Sequence, residues 1–462
     1  MSVTLTEDWG PGVKEFCPGP RSPVPGLGLL LCGGRDRTLV SNDTLTHLSR
    51  NESAVLKAGQ AILLNNRRWH LRRVQPLGAR TVELEAIGTS EAAQGMTRRM
   101  TAYRYDDDLF IEQRRQQVWQ AHLQRDWIED DQGPVLHCRA ATWLDLLDAH
   151  TRRPATGDLK NSFSWSYSRA AKYDLCPRAY YYHYYASWEG WLKDAPPPVK
   201  RAYLLKNLTN VSLWTGSLVH EAIKFALARL KAGQSVAEAD LLKQMRVRAQ
   251  RDFDDSRQGR YRQQPNKYTG FQEHYYKAAL PDEVWRSAWT QAEQRLQTFL
   301  NSALYLDLCR QPPAAFLDVE ALQSFQLVGT KVWVQLDLAR RTEGAIVVYD
   351  WKTGSIEEPA VRRQLGIYGL YLRQAYPELA QAPLRLRGIV YRLADDRLLE
   401  FDLDDSLLRE TQTMAEAGIA ELRGLLLDDA ANLAELRRFP MIGDLSICRR
   451  CQFRELCGRD KG

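Results

Sequence analysis

The run Val347-Val348-Tyr349-Asp350-Trp351-Lys352-Thr353-Gly354 decides how this chain is read. It is an apolar strand that ends in an acid, an indole and a lysine before a glycine turn. Side chains alternate across a strand, so Asp350 and Lys352 share a face with Ile346 and Val348. That face starts apolar and ends charged. Burying a carboxylate and an ammonium is costly unless they pair or bind something. A solvated strand end with a local salt bridge would satisfy the octamer alone, so its surroundings must decide.

The preceding run, KVWVQLDLARR (Lys331–Arg341), also reads as a strand, and Thr342-Glu343-Gly344 turns it back on AIVVYDW as a hairpin. Asp337 and Asp350 are then expected to converge on one end of the sheet. Two hard oxygen donors suit Mg²⁺ or Mn²⁺, which keeps waters and completes its sphere with substrate phosphate. A neighbouring lysine suits orientation of the attacking water and stabilisation of the charge that develops on phosphorus. An acid followed by acid-x-lysine on the next strand fits metal-dependent phosphodiester hydrolysis. On the following helix Gln364 and Tyr368 stand at i and i+4 and project from one face. His220 lies in the amphipathic helix Gly216–Gly233, and is a ligand candidate if that helix lies against the sheet end, a core histidine otherwise.

Further outward, strand-like runs FLDVEALQSFQLV, KVWVQLDLARR and AIVVYDW precede a helix, PAVRRQLGIYGLYLRQAY, and two more strands, LRLRGIVYRLA and RLLEFDL. This order predicts a mixed α/β sheet with the helix packed on it. Residues 1 to about 155 read as a separate β-rich unit, a meander or small barrel built from AILL, RRWHLRRV and RTVELEAIG, with a polar helix near residues 109–127. Arg67, Arg68, Arg72 and Arg73 make one of its strands basic, as a solvated edge guarded by charge or as a nucleic-acid contact. Thr151–Ser162 reads as a linker, and the second domain runs from 163 to 462. Helices dominate from there to about residue 310. The Arg-rich stretch Leu241–Lys267 is a solvated helix or a phosphate-tracking surface, and the Tyr180–Tyr185 run is core packing or a base-stacking channel lining.

The chain has 462 residues, 44% hydrophobic and 26% charged, enough for two or three domains with sizeable cores. A net charge of +6 permits an anionic partner. With no apolar run of membrane-spanning length and no secretory signal at MSVTLTEDWGPG, the expected location is the cytoplasm. Eight cysteines in that reducing compartment are not expected to form disulfides. Cys17, Cys32, Cys138 and Cys309 are scattered, whereas Cys448, Cys451 and Cys457 fall within ten residues. Their x2 and x5 spacings let a loop and one helical turn wrap a single centre, with Cys176 in L-C-P-R-A-Y as the natural fourth ligand. Such a site would hold Zn²⁺ or a [4Fe–4S] cluster.

Taken in order, C-P-R-x-Y, G-x-x-V-H, an acid on a strand, D-W-K-T-G, Q-x-x-x-Y and C-x2-C-x5-C resemble the RecB-like nucleases of the PD-(D/E)XK superfamily, in their iron–sulfur branch. That branch includes the AddB nuclease domain and the CRISPR adaptation exonucleases, and the resemblance covers Phe163 to Cys457. It implies a restriction-endonuclease-like sheet flanked by helices. It also implies a Mg²⁺ or Mn²⁺ ion on His220, Asp337, Asp350 and the Trp351 carbonyl, and Lys352 acting on the nucleophilic water. Gln364 and Tyr368 would position DNA or support the site, with Glu320 as a supporting acid. Cys176, Cys448, Cys451 and Cys457 would hold a [4Fe–4S] cluster that staples the fold. Where the family has glycine three residues before the first acid, this chain has Val334.

The expected activity is a deoxyribonuclease, an exonuclease on single-stranded DNA or DNA ends, in repair or in defence against mobile elements. The alternative is a nuclease fold that only holds DNA or a partner protein. No helicase phosphate loop of the G-x-x-x-x-G-K-[ST] kind is present, so any motor is a separate protein.

Overall fold

The computed structural model describes residues 56–112, 117–156, 159–278, 280–380 and 384–460. Two units make up these residues: 56–156 with Leu192–Pro198, and 159–191 with 199–460. The Pro- and Gly-rich opening, with Cys17 and Cys32, lies outside the described residues. Among the described residues no helix is long and apolar enough to cross a membrane.

The first unit carries eight strands: β1 (Ala61–Leu64), β2 (Arg67–Pro76), β3 (Thr81–Gly88), β4 (Thr97–Tyr105), β5 (Asp108–Glu112), β6 (Val118–His122), β7 (Trp127–Asp130) and β8 (Gly133–Ala141). Their order is β1-β2-β3-β4-β5-β6-β8-β7, and β1 also pairs with β8 in parallel at Ile62 and Leu136, which closes a barrel. The β1–β2 turn places Asn65 and Asn66 at φ 51° and 58°, a left-handed pair that suits a two-residue hairpin. Alternate residues such as Ile62, Trp69, Leu71, Leu84, Met100 and Ile111 fill the interior.

Two sequence expectations change in this unit. The polar helix expected near 109–127 is replaced by β5, β6 and the start of β7. Leu109, Ile111 and Ala121 all join the barrel interior, so cross-strand burial outweighs the helical preference of the Gln- and Arg-rich residues between them. The basic strand β2 is not an edge, because it pairs with β1 on one side and β3 on the other. Arg72 and Arg73 are exposed, but Arg68 is buried against Asp130 and the carbonyls of Gln132, Gly133 and Pro134. It serves the barrel rather than a charged face.

The strands of the second unit that concern the site are β9 (Phe316–Val319), β10 (Leu322–Leu327), β11 (Thr330–Gln335), β12 (Leu338–Thr342), β13 (Ala345–Lys352), β14 (Arg385–Arg392) and β15 (Arg397–Asp402). A five-stranded sheet runs β9-β12-β13-β14-β15, with β13 and β14 parallel and the other neighbours antiparallel. The helices that concern the site are α1 (Tyr167–Leu175), α2 (Pro177–Tyr181), α3 (Val211–Lys231), α4 (Glu238–Arg257), α5 (Asp282–Asn301), α6 (Glu358–Ala375) and α7 (Leu445–Arg450). Val219, Ile223 and Ala226 of α3 join Ala292, Leu296 and Phe299 of α5 in one core with Val347, Tyr349 and Trp351 of β13. Helix α6 comes close to β14 because residue 388 is glycine: a Cβ there would lie 2.7 Å from Leu365 Cδ1. Helices therefore enclose β13, and all eight of its residues are buried.

The runs Phe316–Val328 and Lys331–Arg341 read from sequence as unbroken strands, yet each is interrupted once and at matching points. Val319 pairs with Leu338 on one side of the break, and Leu322 with Gln335 on the other. Between them Glu320 N donates to Asp337 O at 3.1 Å, and Glu320 takes a left-handed φ of 47°. That conformation costs a non-glycine residue roughly 1–2 kcal/mol. The bend carries β10 and β11 away as a separate ribbon and leaves Glu320 and Asp337 together at the fold line.

Candidate active site

Helix α3 begins at Asn210, whose side chain accepts from Leu213 N at 2.8 Å. A turn later, a Cβ on Gly216 would stand 3.0 Å from Thr353 Oγ1, so the glycine lets the helix lie against the end of β13. The next turn delivers His220. Its Nδ1 lies 3.4 Å from Asp337 Oδ1 and 3.5 Å from Glu320 Oε1. Among the described residues, these three side chains are the one group of His, Cys, Asp or Glu whose ligand atoms all lie within 4.8 Å of one another.

Each carboxylate is held by its other oxygen. Asp337 Oδ2 accepts the Trp351 N–H at 2.6 Å, and Glu320 Oε2 accepts Gln335 Nε2 at 3.0 Å. β12 begins at Leu338, opposite Tyr349, so it leaves its edge of the Trp351 peptide uncovered and the Asp337 carboxylate takes that place. The N–H and C=O of one strand residue face the same edge, so the Trp351 carbonyl opens on the same side. The Trp351 ring points the other way, into the core beside Phe299 and Tyr391.

Asp350 and Lys352 stand on the opposite face of β13 from that ring. Lys352 Nζ is 2.8 Å from Asp350 Oδ2 and donates to Gln364 Oε1 at 3.1 Å, and Gln364 Nε2 donates to Tyr368 OH at 2.7 Å. The Asp350–Lys352 contact is close but poorly directed, because Asp350 Oδ2 has no aligned hydrogen bond. His220 Nδ1 and Glu320 Oε1 are likewise buried without one. Three buried polar atoms without an aligned hydrogen bond, gathered at one end of the sheet, are what a bound cation would satisfy.

The charges agree. Burial pushes the Asp337 and Asp350 carboxyls up, against the pull of His220 on the first and Lys352 on the second. Burial would push the His220 imidazole down, but the Asp337 and Glu320 carboxylates outweigh it and raise it to about 10. Burial also holds the Tyr368 hydroxyl well above its usual range, with Asp350, Asp337 and Glu320 adding to it. Three acids face one lysine and one histidine, an excess of negative charge in a dry place.

The fold thus brings His220, Glu320, Asp337, Asp350, Lys352, Gln364, Tyr368 and the Trp351 peptide to one end of the sheet. Sequence reading did not single out Gln335, since a glutamine at a strand end carries no signal until the bend sets it beside Glu320. Val334 pairs with Gln323 in the ribbon and is buried.

The cysteines form a second locality. Cys176 joins α1 to α2, ahead of Pro177, Cys448 lies in α7 and Cys451 caps it. Burial pushes the Cys451 thiol up to about 12, with Cys457 and Cys176 adding to it. Arg459 reaches Cys448 Sγ at 2.7 Å. Among the described residues, no three cysteine sulfurs come within 4.8 Å of one another. Thiolates closed on one zinc ion stand about 3.8 Å apart, from tetrahedral bonds of about 2.3 Å. Around them the Tyr180–Tyr185 run is buried: Tyr180, Tyr181 and Tyr185 pack on Phe439, Tyr182 packs on Phe453 and donates to Leu456 O at 3.2 Å. These rings are core, which removes them as a channel lining for bases.

A family model for the PD-(D/E)XK nuclease superfamily matches residues 164–458, and the chain belongs to that superfamily. Two solved structures are similar over 44% of this chain: a candidate exonuclease from Eubacterium rectale, at 13% identity, 79% of its own length and a TM-score of 0.22, and SSO0001, at 19%, 81% and 0.21. At these scores the likeness adds nothing to the family assignment. No curated protein matches.

Proposed function

We propose that the chain is a Mg²⁺- or Mn²⁺-dependent deoxyribonuclease, with His220, Asp337, Asp350 and the Trp351 carbonyl as metal ligands. The observation that carries this reading is the buried grouping of His220, Glu320 and Asp337, with ligand atoms all within 4.8 Å of one another, beside the Asp350–Lys352 pair. The donor set fits: hard carboxylate oxygens with one imidazole suit Mg²⁺ and, more so, Mn²⁺. A bound ion would supply Lewis-acid charge to a phosphate oxygen and acidify a water. Lys352, held between Asp350 and Gln364, orients the attacking water by hydrogen bonding and faces the negative charge of the phosphodiester. Gln364 fixes the ammonium, and Tyr368 fixes Gln364. Asp337, anchored on the Trp351 N–H, keeps its second oxygen turned to the centre.

The proposed substrate is single-stranded DNA or a DNA end, cleaved in repair or in defence against mobile elements within the cytoplasm. For Cys176, Cys448, Cys451 and Cys457 the proposal is a [4Fe–4S] cluster, with zinc as the alternative, supported by the nearness of Cys176 and Cys457 to Cys451, whose thiol burial and both neighbours push up. Its role is a staple between the α1–α2 corner and the C-terminal tail. Brown colour with iron and sulfide after anaerobic purification is expected; a colourless protein with stoichiometric zinc would exclude the cluster.

End-labelled single-stranded, duplex and RNA substrates with each metal test the activity. Cleavage by wild type and its loss in Asp350→Asn and Lys352→Ala, with unchanged circular dichroism, is the expected result. Retained cleavage in both variants would reject the site.

A further inference from the structure

We propose that the valley between α3 and α4 is a binding track for the backbone of a single nucleic-acid strand, an inference that rests on the nuclease reading above. The valley has a volume of about 610 Å³. Four cations, Arg229, Lys243, Arg248 and Arg251, line it against one acid, Asp240. Two exposed apolar side chains share it: Phe225 at 37% and Val247 at 63% exposure. Charged helix faces are usually just solvated. Here the cations flank an open groove with a phenyl ring on its wall, which matches phosphates along the sides and a base on the ring.

The charges are not all spent. Arg248 and Arg251 share Asp252, at 3.4 Å each. Arg229 and Lys243 pair with no acid among the described residues. One wall of the valley is the helix that carries His220. Arg248 donates across it to Ser217 O at 3.0 Å and Ser217 Oγ at 3.3 Å. Ser217 follows Gly216, which abuts Thr353, and precedes His220 by one turn. From Ser217 to Arg229 the helix rises about 18 Å, room for a few nucleotides. A strand lying there is led towards the turn of α3 that carries the ligand histidine.

The test uses the full chain and a 5′-fluorescein oligothymidylate in EDTA, so that binding is read by anisotropy without cleavage. Phe225→Ala is expected to weaken binding about 5- to 150-fold, the loss of one stacked base. Arg229→Ser with Lys243→Ser is expected to lower the slope of log affinity against log salt by about 1.4. All three side chains are surface residues, and thermal melts check that the variants fold. Wild-type affinity and slope in both variants would overturn the track, whether or not the protein cleaves. Absence of wild-type cleavage with both binding losses intact would remove the nuclease reading and leave the track standing. Tighter binding of a poly-glutamate peptide than of the oligonucleotide, lost in the same variants, would overturn the nucleic-acid assignment.

Discussion

Gln335→Ala probes the candidate metal centre from its edge. Gln335 Nε2 donates to Glu320 Oε2 at 3.0 Å and leaves Oε1 turned to His220. A hydrogen bond to a charged group contributes about 1.5–3 kcal/mol. At 1.4 kcal/mol per factor of ten, that is about 12- to 150-fold. Glu320 is itself an outer partner of the ligand His220, 3.5 Å away, and loss of such a partner's support typically costs about 10- to 100-fold in affinity. The two routes overlap, so Mn²⁺ binding should weaken about 10- to 100-fold. Folding should change little, because Gln335 is half-buried and its backbone pairing with Leu322 survives. Glu320→Gln, which removes a buried charge, should weaken binding more. Unbound Mn²⁺ measured by electron paramagnetic resonance during a titration reads this directly, without cleavage. Wild-type affinity in Gln335→Ala, alongside a weakened Glu320→Gln, would refute the idea that the amide orients the carboxylate. Wild-type affinity in both would remove Glu320 from the centre.

Other substitutions report on neighbouring parts. Gln364→Ala leaves Lys352 Nζ without its amide partner, so turnover should fall about 10- to 100-fold while Mn²⁺ affinity holds; equal losses in both would make Gln364 a packing residue. Tyr368→Phe should fall less, since Gln364 keeps Lys352. Gly216→Val forces side-chain atoms onto Thr353 and should cost about 1–3 kcal/mol in urea unfolding, with cleavage lost alongside; an unchanged midpoint would contradict the close approach of α3 to β13. Arg68→Leu strands the carbonyls of Gln132, Gly133 and Pro134, and should lower stability by about 1–3 kcal/mol in the same assay.

The mixed α/β class of the second unit and the strand-rich character of the first are readable in residue order, because periodicity of two and of 3.6 is written locally. The Asp350-Trp351-Lys352 strand end, Gln364 with Tyr368 one turn on, and the grouped cysteines were legible for the same reason: each lies within one short stretch of chain. Tertiary structure alone decided the rest. The bend that places Glu320 beside Asp337 comes from the pairing of two strands, and neither run carries a glycine or proline at its break. Pairing of β1 with β8 closes the barrel across more than seventy residues, and the strands at 108–122 owe their form to that closed interior. Tyr180–Tyr185 face inward because Phe439 and Phe453, far along the chain, cover them. Each of these depends on contacts between distant segments, and a linear pattern records what a segment prefers, not which partner buries it.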